Sequence, residues 1–232
     1  MIPLRDINPT ARFAIITLLL VIANTAVFLY KLTLGQTEGE LFVSSFALIP
    51  ARLFSAEVFY DKALPAAATI LTSMFLHGGI PHIAGNMLYL WIFGNNVEDD
   101  MGRLRFILFY LLCGTAAAMT HALLNRSSII PMIGASGAVS GVLGAYLLLY
   151  PRARVVTLVF FGFFIRTIEL PALIVLGSWF VVQFFSALYA SSSGGGIAWY
   201  AHVGGFVAGM VLIGLFKRSG VPYGGGRRAH SL

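Results

Sequence analysis

The sequence predicts an all-α polytopic membrane protein with six transmembrane helices and both termini in the cytoplasm. Three observations carry that prediction. Hydrophobic residues make up 58% of the 232-residue chain and charged residues 10%, with a mean hydropathy of +0.86. Soluble domains average about 25% charged residues, so so few charges cannot coat a soluble globule of this size. The charges also leave long free runs, at 13–30, 63–97, 106–125, 127–151 and 170–216. The cations, finally, are asymmetric about those runs. With the N-terminus inside, the outer segments hold only Lys31, Arg52, Lys62 and Arg126 of the 15 Lys and Arg. That bias places both termini on the cytoplasmic side.

Each element follows from a span needing about 20 apolar residues. The first run predicts a helix over 12–34, behind a cytoplasmic segment 1–11. Its apolar stretch is longer than the roughly 7–15 residues of a signal-peptide core, so it reads as a retained span. No Arg-rich, Ser-rich transit segment is visible, and the expected site is a prokaryotic cell (inner) membrane. The run 63–97 is too long for one span and begins in a loop, leaving a helix over 80–97. A third helix is predicted over 104–124 and a short fourth over 136–150, starting at a Gly-rich bend. The last run covers two span lengths and breaks at Ser191-Ser192-Ser193-Gly194-Gly195-Gly196, giving helices over 168–190 and 200–217. The segment between Gly35 and Pro65 mixes Phe42, Phe46, Leu48, Leu53, Phe54, Phe59 and Tyr60 with scattered charges. It reads as an irregular loop, lying in the membrane interface or simply outside it.

The membrane domain thus covers 12–217, and the basic tail 218–232, with Arg227 and Arg228, is expected to be disordered. The net charge of +6 is a topology signal and an attraction to anionic headgroups. It calls for lipid as a partner and for no nucleic acid. The single cysteine, Cys113, offers no disulfide and no zinc-ligand spacing. Neither a metal nor a cofactor is expected.

Polar residues inside the spans are the informative ones, because burying them in hydrocarbon is costly. His82 and Asn86 stand four apart in the second predicted helix and so share a face. Ser136 sits in Gly134-Ala135-Ser136-Gly137 at the start of the fourth, and His202 in Ala201-His202-Val203-Gly204-Gly205 at the start of the sixth. All three helices run inward from the outer face, so the four residues fall at one depth. Together they could supply a nucleophile, a base and oxyanion donors. Singly, each has a plainer reading: Ser136 as a small residue at a helix crossing or an N-cap, His202 as a structural histidine, His82 and Asn86 as interhelical hydrogen-bonding pairs. The pairs Gly137/Gly141 and Gly205/Gly209 predict a close approach of the fourth and sixth helices.

In order, His82-x-x-x-Asn86, Gly134-x-Ser136-Gly137 and Ala201-His202-x-x-Gly205 resemble the motifs of the rhomboid family of intramembrane serine proteases. The resemblance runs from about the first helix to the sixth and implies a six-helix rhomboid-like bundle. It implies Ser136 as nucleophile and His202 as base, with His82 and Asn86 stabilising the oxyanion beside the Ser136 N–H. Glu98 and Gly102 are similar to a structural Glu-x-x-x-Gly element of the family, and His77 to a loop histidine many members carry. Some members place an aromatic residue four positions after the nucleophile, where this chain has Ser140. The orientation of His202 must then come from elsewhere, with packing at Gly205 as one source.

No acidic residue accompanies the motifs, so the site reads as a Ser–His dyad. The resemblance implies substrates with a single transmembrane helix, cut near the outer end where Gly or Pro lets the helix unwind. Access would be lateral, between the second and fifth helices, with Trp179, Phe180, Phe184 and Phe185 either forming one wall or facing lipid. Other classes stay open on the residues alone. One is a non-proteolytic relative that binds membrane proteins, and another a membrane serine hydrolase acting on lipid esters. A channel is disfavoured because the polar residues cluster at one depth and do not line a whole pore.

Overall fold

The computed structural model describes residues 1–54, 64–161, 164–189 and 198–224. Phe59, Tyr60, Lys62, the Ser191–Gly196 break and Arg227–Arg228 lie outside the described residues. The chain is mostly helical, with α1 (Ile15–Thr33), α2 (Gln36–Phe46), α3 (Pro50–Phe54), α4 (Ala66–Thr72), α5 (Ile80–Met101), α6 (Arg103–Leu124), α7 (Ser136–Leu149), α8 (Ala172–Tyr189) and α9 (Trp199–Phe216). Four of these, α1, α6, α8 and α9, are long and apolar enough to cross a membrane. With 14 residues, α7 rises only about 21 Å at 1.5 Å per residue, short of a hydrocarbon layer of about 30 Å.

Its shortness goes with its place. Every residue from Gly137 to Tyr146 is buried, so α7 is the inner post around which the longer helices pack. Its neighbour α9 comes backbone to backbone. A Cβ placed on Gly205 would collide with the Gly137 carbonyl, and one on Gly209 with the Gly141 carbonyl. The two glycine pairs therefore do what their spacing predicted, and no larger residue fits at either contact.

The N-terminus of α1 has no side-chain cap of its own. Glu98, near the end of α5, supplies one from outside. Its carboxylate accepts the N–H groups of Ile16 (3.0 Å) and Thr17 (2.7 Å) and the Thr17 hydroxyl (2.9 Å). Those amides are among the orphan donors of a helix start, where negative charge is also favoured by the helix dipole. Just beyond, Gly102 takes φ 82°, a left-handed conformation that side chains resist, and lets α6 start at once.

The structure corrects the all-α prediction. Residues Ile2–Asp6 (β1), Arg154–Phe161 (β2) and Phe164–Pro171 (β3) form an antiparallel sheet in the order β1-β2-β3. Helix α8 accordingly begins at Ala172, whereas the sequence placed its start at 168. The signal was present. Val155, Thr157 and Val159 are buried while Arg154 and Phe160 are exposed, a two-residue period in β-branched sequence. So short an alternation is a weak signal beside the helix-length apolar runs of this chain.

Two further segments differ from expectation. The stretch 35–65, read as irregular, contains α2 and α3, and Leu48 pairs with Met132 in an isolated antiparallel bridge. The tail, read as unstructured from 218, is tied down at its start. Arg218 N–H donates to the Asp100 carbonyl (2.9 Å) and Gly224 N–H to the Leu148 carbonyl (3.0 Å).

Candidate active site

Ser136, His82 and His202 are the first, third and fourth residues of α7, α5 and α9. The tight α7–α9 contact brings two of these helix starts together at one end of the bundle. There Ser136 Oγ lies 2.8 Å from His202 Nε2. Ser136 is half-buried, and His202 is 8% exposed.

The turn before Ser136 is built for this placement. Gly134 has φ 126°, and its N–H donates to the Ser73 carbonyl at 2.9 Å. A Cβ there would stand 2.7 Å from His82 Nε2. Both the backbone angle and the space exclude a side chain, so Gly134 lets the chain turn into α7 directly beside His82. At the other flank, Gly137 and Gly205 are the close-contact glycines already described. Being the first residue of the helix, Ser136 has an N–H with no acceptor inside α7.

Asn86 lies one turn below His82 on α5. Its Nδ2 is 2.9 Å from His77 Nε2, and the His77 ring meets the His82 ring edge-on at 5.1 Å. His77 is thus a buried support for Asn86 and His82, and Lys31 Nζ donates to its carbonyl at 3.2 Å. Glu98 and Gly102 lie at the opposite end of α5 and touch none of these groups.

These residues open on one cavity of about 730 Å³. Its lining includes His82, Asn86, Tyr89, Ser136, Trp179, Gln183 and His202, with Ile130 to Ile133 along one side. The volume is that of a ligand cleft. Among the described lining residues none is acidic.

Sequence reasoning missed Gln183 and underused Trp179. Gln183 Oε1 is 2.7 Å from His202 Nδ1, and the Trp179 ring lies 6.0 Å from the imidazole. Gln183 is the one amide in an otherwise apolar α8, so the rule that singled out His82 and Asn86 would have found it. Ser140, in the position of the family aromatic, turns its hydroxyl to the Ser136 carbonyl (2.6 Å) and does not reach His202. The histidine is held from α8, where the sequence pointed to Gly205. Of the four aromatics considered for the α8 wall, Trp179 lines the cavity. Phe180 stacks on Phe206 at 4.5 Å, and Phe184 and Phe185 are exposed.

Comparison with known proteins gives this arrangement a family. The rhomboid domain family model matches residues 65–219, which holds every one of these groups. The chain belongs to the rhomboid family and is a membrane protein. It is 31% identical over 152 residues to the mitochondrial Rhomboid protein 1 of Saccharomyces cerevisiae, covering 62% of this chain and 40% of that one. It is 32% identical over 143 residues to RHOMBOID-like protein 4 of Arabidopsis thaliana, covering 62% and 32%. To the Rhomboid protease GluP of Bacillus subtilis it is 42% identical over 78 residues, covering 34% and 15%. The chain spans less than half the length of each of these relatives.

Proposed function

We propose that the protein is an intramembrane serine endopeptidase that cuts membrane-protein substrates with a Ser136–His202 dyad. The observation that carries this is the 2.8 Å contact between Ser136 Oγ and His202 Nε2 at the mouth of an apolar-walled cavity. In this reading Ser136 Oγ attacks the peptide carbonyl carbon while Nε2 takes its proton. The oxyanion is held by the Ser136 N–H with His82 and Asn86, on the positive end of the α7 dipole. His202 then gives the proton to the leaving amine. Water attacks the acyl-enzyme, its proton passes through Nε2 back to Ser136, and the acid product leaves.

The proposal extends to topology and substrate. Helices α5 and α7 complete six spans with α1, α6, α8 and α9, and both termini face the cytoplasm. That orientation rests on the cation asymmetry and puts the cavity near the outer surface. Substrates are single-span proteins whose helix unwinds near its outer end, reaching Ser136 between α5 and α8. The membrane is read as a prokaryotic inner membrane. The relatives include a bacterial protein and a mitochondrial one, so fractionation of the source cells assigns it.

The test is cleavage of a single-span substrate in reconstituted vesicles. Ser136→Ala and His202→Ala should each lower the rate by about 10³-fold or more. Cleavage at the wild-type rate by Ser136→Ala would remove the nucleophile. Intact ester hydrolysis with no cleavage of any transmembrane substrate would turn the reading to a lipid hydrolase.

A further inference from the structure

Resting on the dyad proposed above, we infer that Gln183 is the positioning residue of the base. Its side-chain carbonyl fixes His202 in the Nδ1–H tautomer, and it does so from α8.

The argument starts from what imidazole can do. A neutral ring carries one N–H, so whichever nitrogen donates leaves the other to accept. His202 has a partner at each nitrogen: Gln183 Oε1 at 2.7 Å from Nδ1 and Ser136 Oγ at 2.8 Å from Nε2. An amide oxygen only accepts. The proton therefore sits on Nδ1, and the Nε2 lone pair faces the serine hydroxyl, as a general base requires. Were the amide turned so that its NH₂ faced Nδ1, Nε2 would carry the proton and could not take one from Ser136.

An amide suits this place better than a carboxylate. Gln183 is 8% exposed, and a charge there would be costly to bury. Glutamine sets the same tautomer without that charge. Nor does α7 compete for the role, since the Ser140 hydroxyl is spent on the Ser136 carbonyl. Trp179, four residues before Gln183 and on the same face of α8, lies 6.0 Å from the imidazole and tilted 37° to it. The nucleophile is thus held by α7, the base is carried by α9, and its tautomer is set by α8. A displacement of α8 that opens the cavity sideways withdraws the acceptor from Nδ1.

The experiment uses the full chain in vesicles with a single-span substrate. Gln183→Met keeps length and removes the acceptor. It should lower kcat by about 10- to 100-fold, with KM within about twofold. Gln183→Glu keeps the acceptor and adds charge, which favours imidazolium. It should retain kcat at its pH optimum within about tenfold and move the acid limb of the rate profile upward by about one pH unit or more. The other histidines that act on the ring, His82 across the cavity and His121 on α6, are the same in each variant, so the shift belongs to position 183. Ring ¹⁵N shifts of His202 in the unmodified protein should show Nδ1 protonated and Nε2 bare.

Wild-type kcat in Gln183→Met, superimposable pH profiles for wild type and Gln183→Glu, or a protonated Nε2 would each overturn the inference. If Gln183→Met does not fold, the glutamate variant and the ¹⁵N shifts decide. Should Ser136→Ala or His202→Ala still cleave, the dyad itself fails. Should both be inactive while Gln183→Met is unimpaired, only this inference fails.

Discussion

The two ends of the bundle bury polar groups in opposite ways. At the Glu98 end, where α5 meets α6, Glu98, Asp99 and Asp100 are each less than 7% exposed, and their carboxylates accept hydrogen bonds. Glu98 accepts three hydrogen bonds from the start of α1, Asp99 accepts the Ala11 N–H at 2.6 Å, and Asp100 accepts the Tyr150 hydroxyl. Asp6 does the same for Asn96 and Tyr146, each at 2.7 Å. At the cavity end the described lining of a cavity of about 730 Å³ holds no Asp, Glu, Lys or Arg, and its polar side chains are His, Asn, Gln, Ser, Tyr and Trp. Each end keeps a buried polar atom with no partner among the described residues, His77 Nδ1 at the cavity end and Asn96 Oδ1 beside Asp6. Charge sits where backbone and side-chain donors of the protein answer it, and uncharged donors and acceptors line the cavity. On the function proposed above, stability and chemistry are divided between the ends, and mutations should separate them.

The largest separation should come from pairing Ser136→Ala with Glu98→Ala. The first should abolish cleavage and leave the melting temperature within a degree or two. Glu98→Ala strips three partly or fully buried donors at the α1 start of a charged acceptor. At roughly 1.5–3 kcal/mol for a hydrogen bond to a charged group, offset by water reaching part of the site, the loss should be about 3 kcal/mol. Activity per folded molecule should stay near wild type, because Glu98 lies at the far end of α5 from His82. A thermal melt beside a rate normalised to folded protein checks both. If Glu98→Ala slowed the chemistry with its melt unchanged, the division would be wrong.

A smaller effect tests the cavity end by itself. His82→Ala and Asn86→Ala should each lower kcat by about 10²- to 10³-fold, the usual cost of one oxyanion donor. Asn86→Ala also leaves His77 Nε2 without its 2.9 Å contact, which should cost about 1–2 kcal/mol of stability. Asn86→Asp distinguishes donor from spacer. It keeps the shape but presents acceptors to the developing oxyanion, and it should be at least as slow as alanine.

Much of the cavity end was legible in sequence. The reason is that membrane burial makes a polar residue conspicuous, so Ser136, His202, His82 and Asn86 stood out against apolar neighbours. Gln183 obeyed the same logic but carried no motif, and only the fold shows which side chain its face of α8 meets. The glycines were legible as spacing. That Gly134 must be glycine was not, because its need arises from φ 126° and from His82 fifty residues away in the chain. The Glu98 end was hardest to read. Glu98 caps a helix that begins more than eighty residues earlier, a pairing no local pattern announces. The sheet was hidden for another reason. In a chain this apolar the alternation of Val155, Thr157 and Val159 is a weak signal beside the helix-length runs.

The smallest effect belongs to Asp6, on β1 outside the spans. Burial pushes its carboxyl up from 3.8 to about 6, against the pull of hydrogen bonds from Tyr146 and Asn96. A carboxyl raised on folding binds its proton more tightly in the native state than in the unfolded chain. Between about pH 4 and pH 6 the native state therefore holds more protons, and stability falls as pH rises through that window. The group is partly solvated, so the contribution should be on the order of 1 kcal/mol, well under the roughly 3 kcal/mol that the whole shift would carry at 1.36 kcal/mol per pK unit. Asp6→Asn keeps an acceptor for both donors and removes the charge. Its melting temperature should match wild type near pH 4, exceed it at pH 7 by a few degrees, and lack the decline between. A variant that melted lower than wild type at pH 7 would mean that the Asp6 charge holds the Glu98 end together. The buried charge there would then be a source of stability in its own right, and its hydrogen bonds would be secondary.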